Sequence, residues 1–368
     1  MTDLLSWARS FAASAAERAA DGEAARRVPD DLVAHLRDAG VFRSCVPASL
    51  GGLELAPHAL VDVLEAISAG DGSTGWVAMI CATSGLTAAY MEDAADVFSG
   101  PDVIVGGVFA PMGSAEAREG GWTVNGRWRF ASGCEHCDWL LGGTVIGDAA
   151  PMLVFASDDI EIHDTWDTGG LCATGSHDYS VSDVFVPSGR SVDLSGPPRS
   201  DGALYRFPGF GLLALGIAAV CLGVGRGAID EFLRLATVKS PSFSRRRLAE
   251  RSSVQSTVAR AEAKVRSARA FVDDAVGRCW DEANGAGRIS IEGRVLLRLA
   301  ATNATAMSAS AVSDVYELAG GTSVYRSSRL SRDFRDIHTA TQHMMVAAPT
   351  LEVAGRVLLG VETDTAML

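Results

Sequence analysis

From residue 4 to about 92 the apolar positions recur at helical spacing. Leu32, His35, Leu36 and Val41 fall on one stripe, a break follows at Gly51-Gly52, and Leu60, Val63, Leu64 and Ile67 resume the pattern. Between about 105 and 208 the period shortens to two. Trp122, Val124, Trp128 and Phe130 alternate around Asn125-Gly126, a dipeptide that predicts a hairpin turn, and residues 139–145, 152–156 and 181–186 read as further short strands. Helical spacing then returns. Val258, Ala261, Val265, Ala268, Val272, Ala275 and Cys279 form a stripe, residues 295–318 are rich in Ala and Leu, and a fourth helix is expected over 335–358. The pattern predicts a mainly α chain with a central β domain: helices over 1–104, a β unit over 105–208 and a four-helix bundle over 209–368.

Charge narrows the partners. Lys and Arg total 32 against 45 Asp and Glu, a net charge of −13, which argues against nucleic acid because phosphate contacts need clustered cations. Arg245-Arg246-Arg247 is too short a run to reverse this. Seven cysteines in a chain of 368 residues argue against a disulfide framework and for a reducing cytoplasm. The first twenty residues mix Arg9, Glu17 and Arg18 into an amphipathic pattern, without the apolar stretch of a signal peptide. Residues 207–225 carry no charge, long enough on paper to span a membrane. Pro208 and the glycines within the run favour a buried bundle helix instead.

Two motifs carry ordinary readings. Cys134-Glu135-His136-Cys137 has no second ligand pair and no following helix, so two packed thiols are expected rather than a metal or redox centre. Gly223-Val224-Gly225-Arg226-Gly227-Ala228 matches a dinucleotide fingerprint but lacks the flanking strands, so its glycines are expected to serve close helix packing. No phosphate-binding loop and no G-x-S-x-G nucleophile motif occurs.

The remaining polar constellations gain meaning from their order. They are Phe130-Ala131-Ser132-Gly133 with His136 and Trp139; Trp166-Asp167-Thr168-Gly169-Gly170; Ala173-Thr174-Gly175-Ser176-His177-Asp178; Leu318-Ala319-Gly320-Gly321; and Arg332-Asp333-Phe334-Arg335-Asp336-Ile337-His338, with His343 beyond. Together they resemble the acyl-CoA dehydrogenase superfamily over nearly the full length. The resemblance implies a β-barrel-like middle domain, with flavin bound between it and the bundle, Phe130 and Ser132 at the ring and Trp166 on a second flavin-side stretch. It further implies Gly320 and Gly321 approaching the polar tail from a neighbouring subunit, and Lys239 and Phe243 as loose matches to a basic residue and a Phe after the first bundle helix.

One departure sets the subclass. The dehydrogenases need a carboxylate base after the R-D-x-R segment or early in the first bundle helix, and both places lack one here; the next Glu is Glu352. The chain instead resembles the flavin-dependent monooxygenase branch through Ser132-Gly133-x-x-His136-x-x-Trp139, through Asp71-Gly72-Ser73-Thr74-Gly75-Trp76-Val77, and through the pair His338 and His343. That branch implies reduced FMN or FAD delivered by a separate flavin reductase, O2, a small aromatic or polycyclic substrate, and a homotetramer. On this resemblance His343, Ser132 and His136 are the catalytic candidates. On a continuous final helix His338 and His343 would stand about 140° apart, leaving His338 as a flavin-side hydrogen-bond partner. An acyl-CoA dehydrogenase-like enzyme with an unusual base, or a non-catalytic partner subunit, are the alternatives.

Overall fold

The computed structural model describes residues 4–285, 287–366 and 368. The chain opens with α1 (Leu4–Ala25) and α2 (Asp30–Asp38), followed by α3 (Pro57–Ser68), α4 (Gly72–Ser84) and the short α5 (Ala94–Val97). Helix α1 buries Ala8, Phe11, Ala15 and Ala19, three or four residues apart, which makes it a one-faced helix. Helix α3 starts on Pro57, whose missing N–H is no loss in a first turn. Helix α4 is buried nearly all round, and Asp71 caps it by accepting from the Thr74 N–H at 2.8 Å.

Seven strands form one sheet: β1 (Val105–Arg118), β2 (Gly121–Ala131), β3 (Trp139–Val145), β4 (Met152–Ala156), β5 (Glu161–His163), β6 (His177–Pro187) and β7 (Ser191–Val192). Their order is β5-β6-β2-β1-β3-β4-β7, with β1 and β3 parallel and the other pairs antiparallel. The expected barrel is therefore a sheet with β5 and β7 at its two edges. The strands at 139–145 and 152–156 match the periodicity reading, and 181–186 lies within β6.

The hairpin turn is not at Asn125-Gly126. It falls at Glu119-Gly120, where Gly120 has φ 77°, while Asn125 and Gly126 lie inside β2 opposite Ser114 and Gly113. Their turn-like character serves two other needs. Asn125 bonds Asp183 through both ends of its amide, at 3.0 and 2.9 Å, and holds that residue at a φ of 53°. Gly126 leaves room for the buried Trp128 ring, since an added Cβ would sit 2.6 Å from it. Trp128 stacks on Tyr179 at 5.0 Å and donates to the Gly143 carbonyl, forming the centre of the sheet's core.

After the short α6 (Ala203–Arg206) come α7 (Gly209–Val238), α8 (Ser252–Gly285), α9 (Ile291–Ala319), α10 (Arg329–Ala340) and α11 (Thr350–Leu358). Of the predicted stripe, Ala261 to Cys279 form the buried face of α8, and Val258 is half-buried at its end. Helix α7 is long and apolar enough to cross a membrane, yet 89% of its most apolar stretch is buried inside the protein. The fingerprint glycines lie within α7 and are packing sites. An added Cβ on Gly223 would lie 2.3 Å from the Glu65 carbonyl, and one on Gly227 2.6 Å from that of Ala69. Gly223→Val should therefore cost at least about 3 kcal/mol, because backbone atoms of α3 cannot yield as a flexible side chain would. Urea unfolding checks this; a loss below about 1 kcal/mol would contradict the contact.

The expected helix over 335–358 is two helices, α10 and α11, separated by turns over 341–349. Pro349 disfavours helical backbone at the residue before it, and Thr341 Oγ1 bonds back to the His338 carbonyl at 2.7 Å. His343 therefore sits in a turn rather than on a helix face, and the helical angle between the two histidines does not apply.

Candidate active site

Strand β2 ends at Ala131, immediately before Ser132, and Phe130 there adopts φ 68°, in the left-handed region that non-glycine residues seldom occupy. This turns Phe130 outward, 65% exposed, with Trp166 edge-on at 6.2 Å. Ser132, two residues later, is buried. Its hydroxyl accepts from Trp76 Nε1 at 3.0 Å and lies 2.7 Å from Ser176 Oγ, which lies 2.6 Å from Thr174 Oγ1. Trp76 comes from α4 and also meets His343, edge-on with ring centroids 5.7 Å apart. Through Trp76 the fold thus brings together Ser132 and His343, residues 211 apart in the chain.

His343 is held from two sides. Its Nδ1 accepts from the Met345 N–H at 3.2 Å, and Arg298 of α9 donates to the Met345 carbonyl. With Nδ1 accepting, the neutral ring carries its proton on Nε2. Burial, reinforced by the nearby Arg298 cation, lowers its pKa to about 4, so the imidazole is uncharged at neutral pH.

The other candidates occupy different places. His136 lies at the α1–α2 junction with Nδ1 3.1 Å from Arg27 and 3.6 Å from Asp30, and burial lowers its pKa to about 4. His338 stands on α10, tilted against Phe334 at 4.5 Å and bonded to Ser313 at 3.1 Å; it faces α9 instead of the Ser132 junction. Glu352, the first carboxylate after Asp336, is exposed in the first turn of α11. Cys134 and Cys137 are buried thiols near the carbonyls of Gly175 and Gly133.

A second cluster forms at the end of the bundle. Lys239, the residue that follows α7, donates to the Ala319 carbonyl and to Thr322 Oγ1, which draws its loop onto Gly320 and Gly321. These residues and Arg251 line a cavity of about 600 Å³. Phe243, with φ 61°, projects fully exposed from the α7–α8 connection.

This chain fits a flavin on its own geometry. The outward Phe130 with Trp166 offers an aromatic face, and a polar edge follows at Ser132. An added Cβ on Gly320 or Gly321 would meet nothing within 4 Å, so the backbone there is open to a polar tail, with Lys239 and Arg251 beside it.

Thr174 and Ser176 stand in the sequence only as part of a resembling stretch with no role attached, and Arg298 carries no signal there. Trp76 was visible only as part of a resembling stretch. Asp336 joins the site from behind: its Oδ1 accepts from the Leu171 N–H at 2.6 Å, fixing the loop that carries Thr174 and Ser176, while its Oδ2 is buried without a partner.

Residues 2–95 match the acyl-CoA dehydrogenase N-terminal domain, and residues 215–348 match the C-terminal domain of the same family. The chain is 33% identical to indole-3-acetate monooxygenase of Pseudomonas putida, over 91% of this chain and 88% of that one. It is 31% identical to the oxygenase component of the FADH2-dependent resorcinol hydroxylase of a Rhizobium species, over 92% and 90%. The structure of XiaF from a Streptomyces species, solved with FADH2 and glycerol, superposes with a TM-score of 0.90 at 26% identity, covering 98% of this chain and 96% of that one. The chain belongs to the acyl-CoA dehydrogenase family, among its flavin-dependent monooxygenases.

Proposed function

We propose that this chain is the oxygenase component of a two-component system that oxygenates a small aromatic or polycyclic substrate, taking reduced FAD or FMN from a separate flavin reductase. The observation that carries the reading is the meeting of Ser132 and His343 on Trp76, in a segment that has no Asp or Glu from Ile337 to Leu351. A neutral histidine stands where the dehydrogenases keep a carboxylate base.

Phe130 and Trp166 would hold the flavin ring, and Ser132 its N5 edge. Lys239, Phe243, Gly320 and Gly321 would meet the tail. When bound, reduced flavin supplies the electrons that activate O2 for transfer of one oxygen atom. The protein's own part is positional. Trp76 fixes the Ser132 oxygen, the buried hydroxyls behind it exclude water, and His343 keeps a proton on Nε2 for an oxygen atom of the substrate. In this reading His136 packs against the α1–α2 junction and His338 is a surface side chain beside Phe334.

The relatives' names make indole-3-acetate and resorcinol the first substrates to try. Turnover with a flavin reductase and NADH, followed by mass spectrometry, tests the reading; dehydrogenation of an acyl-CoA in place of aromatic oxygenation would reverse it. Ser132→Ala should lower product formed per reduced flavin by about 5–100-fold, the effect of losing one buried hydrogen-bond partner. Unchanged coupling in stopped-flow would remove Ser132 from the site.

Exposed Val238, Val324 and Tyr325 flank the tail-side cavity and support assembly as a homotetramer, in which a neighbour's tail-side cluster meets the ring side. Light scattering tests the assembly. The seven free thiols suit a cytoplasmic setting. Strand β1 beginning at Val105 and α7 at Gly209 support domain divisions at 104/105 and 208/209.

A further inference from the structure

Four buried side chains behind the flavin face form a hydrogen-bonded chain whose direction is set by its two ends. At one end is Trp76 Nε1, which only donates, 3.0 Å from Ser132 Oγ. At the other is the Leu171 carbonyl, which only accepts, 2.8 Å from Thr174 Oγ1. Between them Ser132 and Ser176 are 2.7 Å apart, and Ser176 and Thr174 are 2.6 Å apart. Each hydroxyl has a single proton. Thr174 places its proton on the Leu171 carbonyl, so Ser176 must donate to Thr174, and Ser132 must donate to Ser176. No other assignment places a proton in every one of these contacts, and a contact without one would set two oxygen lone pairs face to face at 2.6–2.8 Å inside the protein.

The carbonyl end is firmly anchored. Leu171 has φ 52°, its N–H is held by Asp336 Oδ1 at 2.6 Å, and its carbonyl also accepts from Trp166 Nε1 at 3.0 Å. Ser132 therefore has its proton committed inward and one lone pair taken by Trp76. What it can still offer is a lone pair.

We propose that this polarised relay makes Ser132 an obligate hydrogen-bond acceptor, and that Ser176 and Thr174 thereby set the preference for reduced over oxidised flavin. N5 of reduced flavin carries a hydrogen and donates, whereas N5 of oxidised flavin has only a lone pair. An acceptor-only hydroxyl complements the first and repels the second. Ser176 and Thr174 touch neither flavin nor substrate in this account; they are positioning residues acting through Ser132. The inference rests on the placement of Ser132 beside the flavin ring proposed above.

The test is the ratio of dissociation constants for oxidised and reduced FAD and FMN, titrated aerobically and anaerobically with the full chain. In Ser176→Ala the Ser132 proton is released and can turn to oxidised N5, so the ratio should fall about tenfold. Thr174→Val should act in the same direction and serves if Ser176→Ala does not fold. Thr174→Ser keeps the relay and should keep the ratio. Adding Ser176→Ala to Ser132→Ala should change nothing further. If Ser132→Ala shifts the ratio while Ser176→Ala and Thr174→Val do not, the relay is wrong and the placement of Ser132 stands. Equal weakening of both flavin states in Ser176→Ala would show a merely structural role and overturn the relay. If Ser132→Ala itself leaves both affinities unchanged, the placement fails and takes the relay with it.

Discussion

His343→Ala is expected to lower the rate of substrate oxygenation by about 10²–10³-fold, the usual cost of losing one hydrogen-bond donor aimed at a reacting oxygen. Binding of reduced flavin should change little, since His343 meets the site through Trp76 and through the Met345 turn rather than through Phe130 or Trp166. The electrons that no longer reach substrate should appear as hydrogen peroxide, so the product-to-peroxide ratio is the most sensitive readout. The pH profile adds a second constraint. Burial and Arg298 hold the His343 pKa near 4, so the ring is neutral throughout the neutral range. A step that uses the neutral ring is then insensitive to this group from pH 6 to 8 and fails only as pH falls toward about 4. Full coupling in the variant would remove His343 from the chemistry.

The second large effect concerns stability. Asp336 is buried between α10, the cap of α4 and the Leu171 loop. Burial, then repulsion from Asp71, raises its pKa to about 8 against the opposing Leu171 N–H; Asp333 adds repulsion and Arg332 partly offsets it. An unfolded Asp titrates near 4, so the folded state binds more protons between about pH 4 and 8. Stability from this group is therefore present at low pH and is lost as pH rises through that window. Asp336→Asn keeps the acceptor for Leu171 and removes the charge. It should be more stable than the parent protein at pH 9 by several kcal/mol, about 5 for a shift of about four pH units, and nearly equal to it at pH 4. Urea unfolding at the two pH values checks this; pH profiles that run parallel for the two proteins would contradict it.

The parts of the molecule legible in sequence are those whose signal is local. The stripe from Ala261 to Cys279 has one helical period and one buried face, and α8 follows it. Strands β3 and β4 alternate or run apolar between clear turn residues and were placed to the residue. The glycines of α7 were readable as packing sites because no strand precedes them. Asn125-Gly126 misled because the same small, turn-prone residues also suit a bulged strand beside Trp128. The helix expected over 335–358 failed because Pro349 and the backbone bond to His343 Nδ1 compete with helical pairing.

The site was legible only in part. Phe130, Ser132, Trp166 and His343 carry a family pattern, yet nothing in it says what joins them. Trp76 and Ser132 are 56 residues apart, Ser132 and Ser176 are 44 apart, and Leu171 and Asp336 are 165 apart. No periodicity links positions so distant, and a serine or an aspartate reads alike whether exposed or buried. His136 and His338 show the same limit from the other side: close to the motif in sequence, they point to Arg27 and to Ser313.

Transfer of an oxygen atom from O2 to an aromatic substrate can be followed by supplying reduced flavin and ¹⁸O₂ to the purified chain with indole-3-acetate or resorcinol and weighing the product. One ¹⁸O atom is expected in each oxygenated product molecule, with none when the label is in water instead. A product whose new oxygen comes from water, or conversion of an acyl-CoA to its enoyl form with no labelled aromatic product, would contradict it.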